Sequence, residues 1–190
     1  MALELAAAFA VGLVMFLLLF LAVTTYNAIV ALRERIDRSW GNVDVALRQR
    51  HDELPNLVSA VRDVMAFEQD VLQQVTRLRS AYAPGDPIER QAQTSEATSA
   101  AVRQLFAVVE RYPDLKSQQN VLDLQDEIER LEGVIADRRE HYNDTVYRHN
   151  SRIAQVPAVF LAGLIGWRAR PFFRADPGDT VRPDASLRVA

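Results

Sequence analysis

From Leu5 to Val23 every residue is apolar or is Gly12, and no charge occurs from Leu5 until Arg33. About 20 such residues, rising roughly 1.5 Å each, are enough to cross a bilayer. A cleaved signal peptide would want a basic flank, a shorter apolar run and a small-residue cleavage site. Here Glu4 stands where a basic flank would be and no A-x-A pattern comes after Val23, so the expectation is an uncleaved anchor. Arg33, Arg35 and Arg38 lie just after the segment, while only the terminal amine precedes it. The positive-inside rule therefore predicts the N-terminus outside and the remainder in the cytoplasm. Ala8 and Gly12 form a small-xxx-small pair on which two anchors can pack, although such pairs are common by chance in an Ala-rich helix.

The chain beyond the anchor is dense in charge. Over all 190 residues, 25 Asp plus Glu stand against 22 Lys plus Arg, a formal net charge of −3, which is no nucleic-acid signature. Lys116 is the single lysine; the other basic residues are arginines, which suit fixed ion pairs better than a loose basic coat. The absence of cysteine removes disulfides, thiolate zinc sites, iron-sulfur clusters and cysteine nucleophiles together.

The apolar period after the anchor is that of a helical bundle with coiled-coil character. In a seven-residue frame the a positions are Ile29, Ile36, Val43, Arg50, Leu57, Val64, Val71 and Leu78; the d positions are Arg33, Trp40, Leu47, Leu54, Val61, Glu68, Val75 and Tyr82. Thirteen of these sixteen are apolar without a frame shift, which predicts one buried stripe. Pro55 lies inside the frame and makes either a kink or a corner there. If the helix runs on to Tyr82, about 57 residues carry it roughly 85 Å from the bilayer and three passes result. If the chain turns at Pro55 it makes four shorter passes, and Val156 returns toward the lipid.

Pro84-Gly85-Asp86-Pro87 ends the first stripe. A second helix is expected from about Ile88 to Tyr112, with Val102, Leu105, Phe106 and Val109 on one face and a polar first half expected to pack late or fray. Asp114 is a reasonable cap for a third helix, which carries Val121, Leu124, Ile128, Leu131, Ile135 and Tyr142 and stops before Pro157. The run Val156–Trp167 is too short to span. It either caps the bundle core or lies at the membrane interface, with Trp167 at the headgroups and Arg168, Arg170 and Arg174 toward phosphates. The tail from 174 to 190, with Pro177, Gly178 and Pro183, reads as disordered.

Arg50 and Glu68 interrupt the stripe, and unpaired core charges are costly. Cross-helix pairing of Glu68, Glu110 and Glu132 with Arg50, Arg79 and Arg139 would fix register. The competing reading, convergence of those carboxylates on two metal ions, requires a Glu-x-x-His pair on each of two helices. His51, His141 and His149 are preceded at three residues by Arg48, Arg138 and Val146, and H-E-x-x-H is also absent. No phosphate-binding glycine loop or G-x-S-x-G elbow occurs. Tyr142-Asn143, Asn150 and Tyr26-Asn27 read, taken alone, as hydrogen-bonded bundle residues.

Together these residues resemble a known family. Tyr26-Asn27, Trp40, Arg50-His51-Asp52, Leu54-Pro55-Asn56-Leu57-Val58, Phe67-Glu68 and Leu78-Arg79 are similar to the first half of LemA family proteins. Glu110-Arg111-Tyr112-Pro113-Asp114-Leu115-Lys116, Leu124-Gln125-Asp126-Glu127-Ile128-Glu129, Ile135-Ala136, Arg139, Tyr142-Asn143, Val146, Asn150 and Pro157 continue the similarity, which runs from about Tyr26 to Phe173. Two positions depart from the pattern: His149 stands where a second Tyr is expected, and Glu53 takes the place of the aliphatic residue usual before Leu54-Pro55. The resemblance implies a single-pass membrane protein with a cytoplasmic bundle and no established enzymatic activity. Its shared polar residues carry over as Arg50, Glu68, Glu110, Arg139, Tyr142 and Asn143, none with a catalytic role.

The expectation is therefore an all-α chain in three parts: an anchor over 1–28, an antiparallel bundle of three to four long helices over 29–173, and the tail over 174–190. The six polar residues form a structural core; no catalytic, cofactor or metal site is expected. Expected partners are the bilayer through residues 5–28 and an unidentified protein or a second copy, without nucleic acid. The expected location is the inner cell membrane, and the expected role is a scaffold or adaptor. The alternatives are a carboxylate metal enzyme at Glu68, Glu110 and Glu132, and a homo-oligomer that organises the bilayer.

Overall fold

The computed structural model describes residues 1–62, 69–116 and 118–174. The described residues hold six helices and no strand: α1 Ala2–Arg62, α2 Gln69–Ala81, α3 Ile88–Val109, the single turn α4 Pro113–Lys116, α5 Gln119–Ile153 and α6 Ala158–Ile165. The described residues fall into two compact units, one formed by residues 1–41 with 140–171 and the other by residues 42–139 with 172–174.

In the first unit the opening of α1 has one window long and apolar enough to cross a membrane, and none of that window is buried. A core helix of a soluble protein would be covered. Thr24, at the end of the apolar run, turns its hydroxyl back on the helix and donates to the carbonyls of Phe20 and Leu21 at 3.0 and 3.1 Å. A hydroxyl at membrane depth needs such an internal partner. From Ile29 the same helix begins to bury its a positions, Ile29 and Ile36. Ile29 packs with Ile153 at the end of α5 and with Ala158 and Ala162 of α6. Gly166 closes α6 at φ 77°, a left-handed conformation that a side chain would resist. The turn brings the Trp167 amide back to the Ala162 carbonyl at 2.9 Å and lays its indole on the Tyr26 ring at 5.3 Å.

In the second unit α1, α2, α3 and α5 enclose one apolar cluster containing Leu54, Leu57, Val61, Val75, Leu105 and Ile128. The heptad frame is followed closely: Val43, Leu47, Leu54, Leu57, Val61, Val71 and Val75 are all buried. Of the two alternatives at Pro55, the one in which a single helix runs on to Tyr82 is corrected. Tyr82 meets Asp44, and Arg79 meets His51, so α2 runs antiparallel to α1 rather than extending it. A continuous heptad is blind to such a reversal, because both arms of a hairpin bury the same kind of face. Pro55 is no corner, since α1 continues through it to Arg62. Its missing N–H leaves the carbonyl four residues back, that of His51, without its helical donor. The Arg79 guanidinium of α2 donates to that carbonyl at 3.4 Å.

Two further expectations change. The polar first half of α3 does not fray: Gln91, Ala92, Ser95, Thr98 and Ser99 are all buried. Asp114 lies in α4, a separate turn, and α5 starts at Gln119. Residues 175–190 of the expected tail lie outside the described residues.

Candidate functional site

Each unit has its own set of buried polar groups. In the second unit the set centres on Arg50, which occupies an a position of α1 with 4% of its surface exposed. One guanidinium nitrogen donates to Glu132 Oε1 of α5 at 2.7 Å and to Ser99 Oγ of α3 at 2.8 Å; the other donates to Ser95 Oγ at 3.0 Å. The Ser99 hydroxyl in turn donates to Glu132 Oε2 at 2.5 Å. Three helices are thus joined at one arginine. This explains the polarity of α3's first half: Ser95 and Ser99, one turn apart, are small enough to let the guanidinium between helices and supply the acceptors it needs. Beside Arg50 the remaining cavity is about 10 Å³, room for at most one water.

A smaller set sits nearby on the same unit. Tyr82 donates to Asp44 Oδ1 at 3.0 Å, and Asp44 is paired with Arg48 at 2.6 Å. Burial first, and the bond to Asp44 second, push the Tyr82 phenol up to about 12.

In the first unit the buried polar groups are neutral and hold the segment after α6, to which an exposed ion pair of Arg170 with Asp37 at 3.6 Å adds a surface contact. Tyr142, fully buried, donates its hydroxyl to the Pro171 carbonyl at 2.9 Å and meets the Trp40 ring edge-on. Asn150 grips Arg170 at two points, accepting its amide at 2.8 Å and donating to its carbonyl at 2.9 Å. His149, 1% exposed, has Nδ1 at 3.2 Å from Asn150 Oδ1. Burial lowers the His149 pKa, and the charges of Arg170 and Arg33 lower it further, while the contact with Asn150 opposes them.

The six residues singled out in the sequence are therefore distributed. Arg50 and Tyr142 are buried centres of two separate sets. Asn143 is half-buried on α5, and Arg139 sits at the surface, 3.4 Å from Glu96 of α3. Glu110 is exposed at the end of α3, outside any buried set, and Glu68 lies outside the described residues. Of the proposed cross-helix pairs, Arg50–Glu132 forms, whereas Arg79 goes to a backbone carbonyl and Arg139 to a different glutamate. Among the described residues no three carboxylates or histidines gather as a metal site would require. Sequence reasoning missed Ser95, Ser99, Glu96 and the Asp44–Tyr82 contact. The signal for the serines was their place on the stripe of α3, one and two turns before Val102.

A family model described as the LemA family matches residues 39–186. The chain is also similar to magnetosome protein MamQ 2 and magnetosome protein MamQ 1 of Paramagnetospirillum magneticum, each 24% identical over 182 residues, covering 82% of this chain and 67% of the relative. Magnetosome protein MamQ of Magnetospirillum gryphiswaldense is 23% identical with the same coverage.

Proposed function

As the chain belongs to the LemA family, whose model matches most of its length, we propose that it is a single-pass, membrane-anchored helical scaffold or adaptor without enzymatic activity, its bundle on the cytoplasmic side. One observation carries the reading: the uncovered apolar opening and the first buried positions of the bundle belong to a single helix, α1. Orientation rests on Arg33, Arg35 and Arg38 after the span. The buried polar groups support a structural role, since Glu132 is engaged by Arg50 and Ser99, and the carbonyls of Pro171 and Arg170 are engaged by Tyr142 and Asn150. The magnetosome names of the relatives add a precedent for a similar chain as a component of a cellular structure.

The test uses the fact that the chain has no cysteine of its own. A Val45→Cys variant, at an exposed position of α1, is treated in intact cells with a membrane-impermeant maleimide. The expected result is labelling only after permeabilisation, with Leu3→Cys labelled beforehand. Labelling of Val45→Cys in intact cells overturns the orientation, and recovery of the protein in the soluble fraction overturns the anchor. Affinity capture from detergent addresses the adaptor role, which is refuted if no other protein is recovered under any growth condition. Stoichiometric iron or manganese in the purified protein would refute the non-enzymatic reading.

A further inference from the structure

We propose that α6 and its flanks, Val156–Trp167, form a second lipid contact, lying in the headgroup layer beside the exit of the anchor. The inference rests on the anchor reading. No charge occurs in this segment, and its outward side is apolar: Val156, Phe160 and Leu164, spaced four apart, are 74%, 72% and 84% exposed. The inward side, Ala158 and Ala162, is buried on Ile29 and Ile153. A short helix that is apolar on both faces is thus covered on one of them only. Water is a poor neighbour for the other.

Its position along α1 says what the neighbour is. The apolar run ends at Val23; Tyr26 lies about 4.5 Å further along the helix and Ile29 about 9 Å further. A headgroup layer is roughly 5–8 Å thick on each side of the hydrocarbon. The partners of this segment are Tyr26, inside that layer, Ile29, at its outer edge, and Arg33, about 15 Å past Val23, whose side chain reaches back to Trp167. Trp167 stacks on Tyr26 at 5.3 Å and lies 5.8 Å from the Arg33 guanidinium, an aromatic pair with a cation at the depth where such rings settle. The flanks match an anionic surface, for Arg33, Arg35, Arg38, Arg168 and Arg170 outnumber Glu34 and Asp37. Eight residues rise only about 12 Å, so α6 lies on the bilayer and does not cross it.

The full-length protein, with single cysteines carrying nitroxide labels, is reconstituted in phosphatidylethanolamine–phosphatidylglycerol vesicles. Collision with oxygen, which partitions into lipid, is compared with collision with a water-soluble nickel chelate. Labels at Phe160→Cys and Leu164→Cys are expected to favour oxygen severalfold, as will Phe16→Cys in the anchor, whereas Val45→Cys favours nickel. If the label at 16 favours oxygen while those at 160 and 164 favour nickel, the lipid contact is refuted and the anchor stands. Low collision with both reagents at 160 and 164 means that a protein, a partner or a second copy, covers α6, and also refutes it. A label at 16 that favours nickel overturns the anchor and this inference with it.

Discussion

Arg50 and Tyr142 are both buried on long bundle helices, yet the groups around them differ in kind. Arg50 is a charge met by a charge and two hydroxyls from other helices; Tyr142 and its neighbour Asn150 are neutral and meet backbone groups of the segment after α6. Helices have already satisfied their own backbones, so joining them through a polar contact requires side chains from every partner. A buried guanidinium with five donors serves three helices at once. A non-helical segment instead presents open carbonyls and amides, and neutral amide and phenol groups match these without the desolvation cost of a charge. Among the buried groups, then, an ionic contact joins helix to helix in one unit and neutral contacts hold irregular chain in the other, where the ion pair of Arg170 with Asp37 at 3.6 Å lies at the surface.

The sharpest break of that contrast is Glu132→Ala, which leaves the Arg50 guanidinium buried without its counter-charge. Chemical denaturation of the protein in detergent is expected to show a loss of about 3 kcal/mol. Arg50→Met combined with Glu132→Leu should restore most of it, because an apolar pair of similar volume carries no desolvation cost. Equal damage from the single and double changes would mean that the ion pair is more than a helix-joining device.

Asn150→Ala removes both contacts to Arg170 and is expected to cost about 2 kcal/mol. Because that grip ties the chain to α5 three residues after Trp167, the variant should also expose Trp167, read as a red-shifted emission in a Trp40→Phe background. Tyr142→Phe keeps the ring against Trp40 and loses one hydrogen bond, an expected cost of about 1 kcal/mol by the same measurement. An unchanged Trp167 signal in Asn150→Ala would show that the neutral set does not hold the segment.

The smallest effect is with pH. The folded state disfavours protonated His149, whose ordinary pKa is about 6.5, so the unfolded chain binds the proton more readily. The contribution is complete above that value and is lost as pH falls below it toward the lowered folded pKa. Stability should therefore decline as the solution is taken below about 6.5, and a His149→Gln variant should flatten that part of the curve. An identical slope in His149→Gln would refute the assignment.

Much of this was legible in the sequence. Apolar periodicity located the anchor, the stripe on α1 and the long helix α5, because period and burial share one cause. Arg50 stood out as a charge at a core position and needed a partner. Its partners did not stand out, since a serine one turn from another serine looks the same on a solvated face as around a guanidinium. The reversal before α2 left no mark on the heptad, and Glu110 looked like a core carboxylate because three-dimensional position at a helix end is not encoded in spacing. Both alternatives for Val156–Trp167 were visible as composition; the contacts with Tyr26 and Ile29, from which the lipid proposal is argued, are long-range facts that spacing does not carry.

Pro55 has a consequence for docking precision. Apolar faces of two helices fit nearly as well when one slides a turn, about 5.4 Å, along the other. A regular helix offers no landmark against such sliding, every inner carbonyl being taken. The proline opens one carbonyl, at His51, and Arg79 of α2 reaches it. The missing bond thus acts as a detent along a smooth contact. Pro55→Ala should leave α1 more stable by itself while letting α2 settle at more than one height, seen as a broadened distance distribution between spin labels on the two helices.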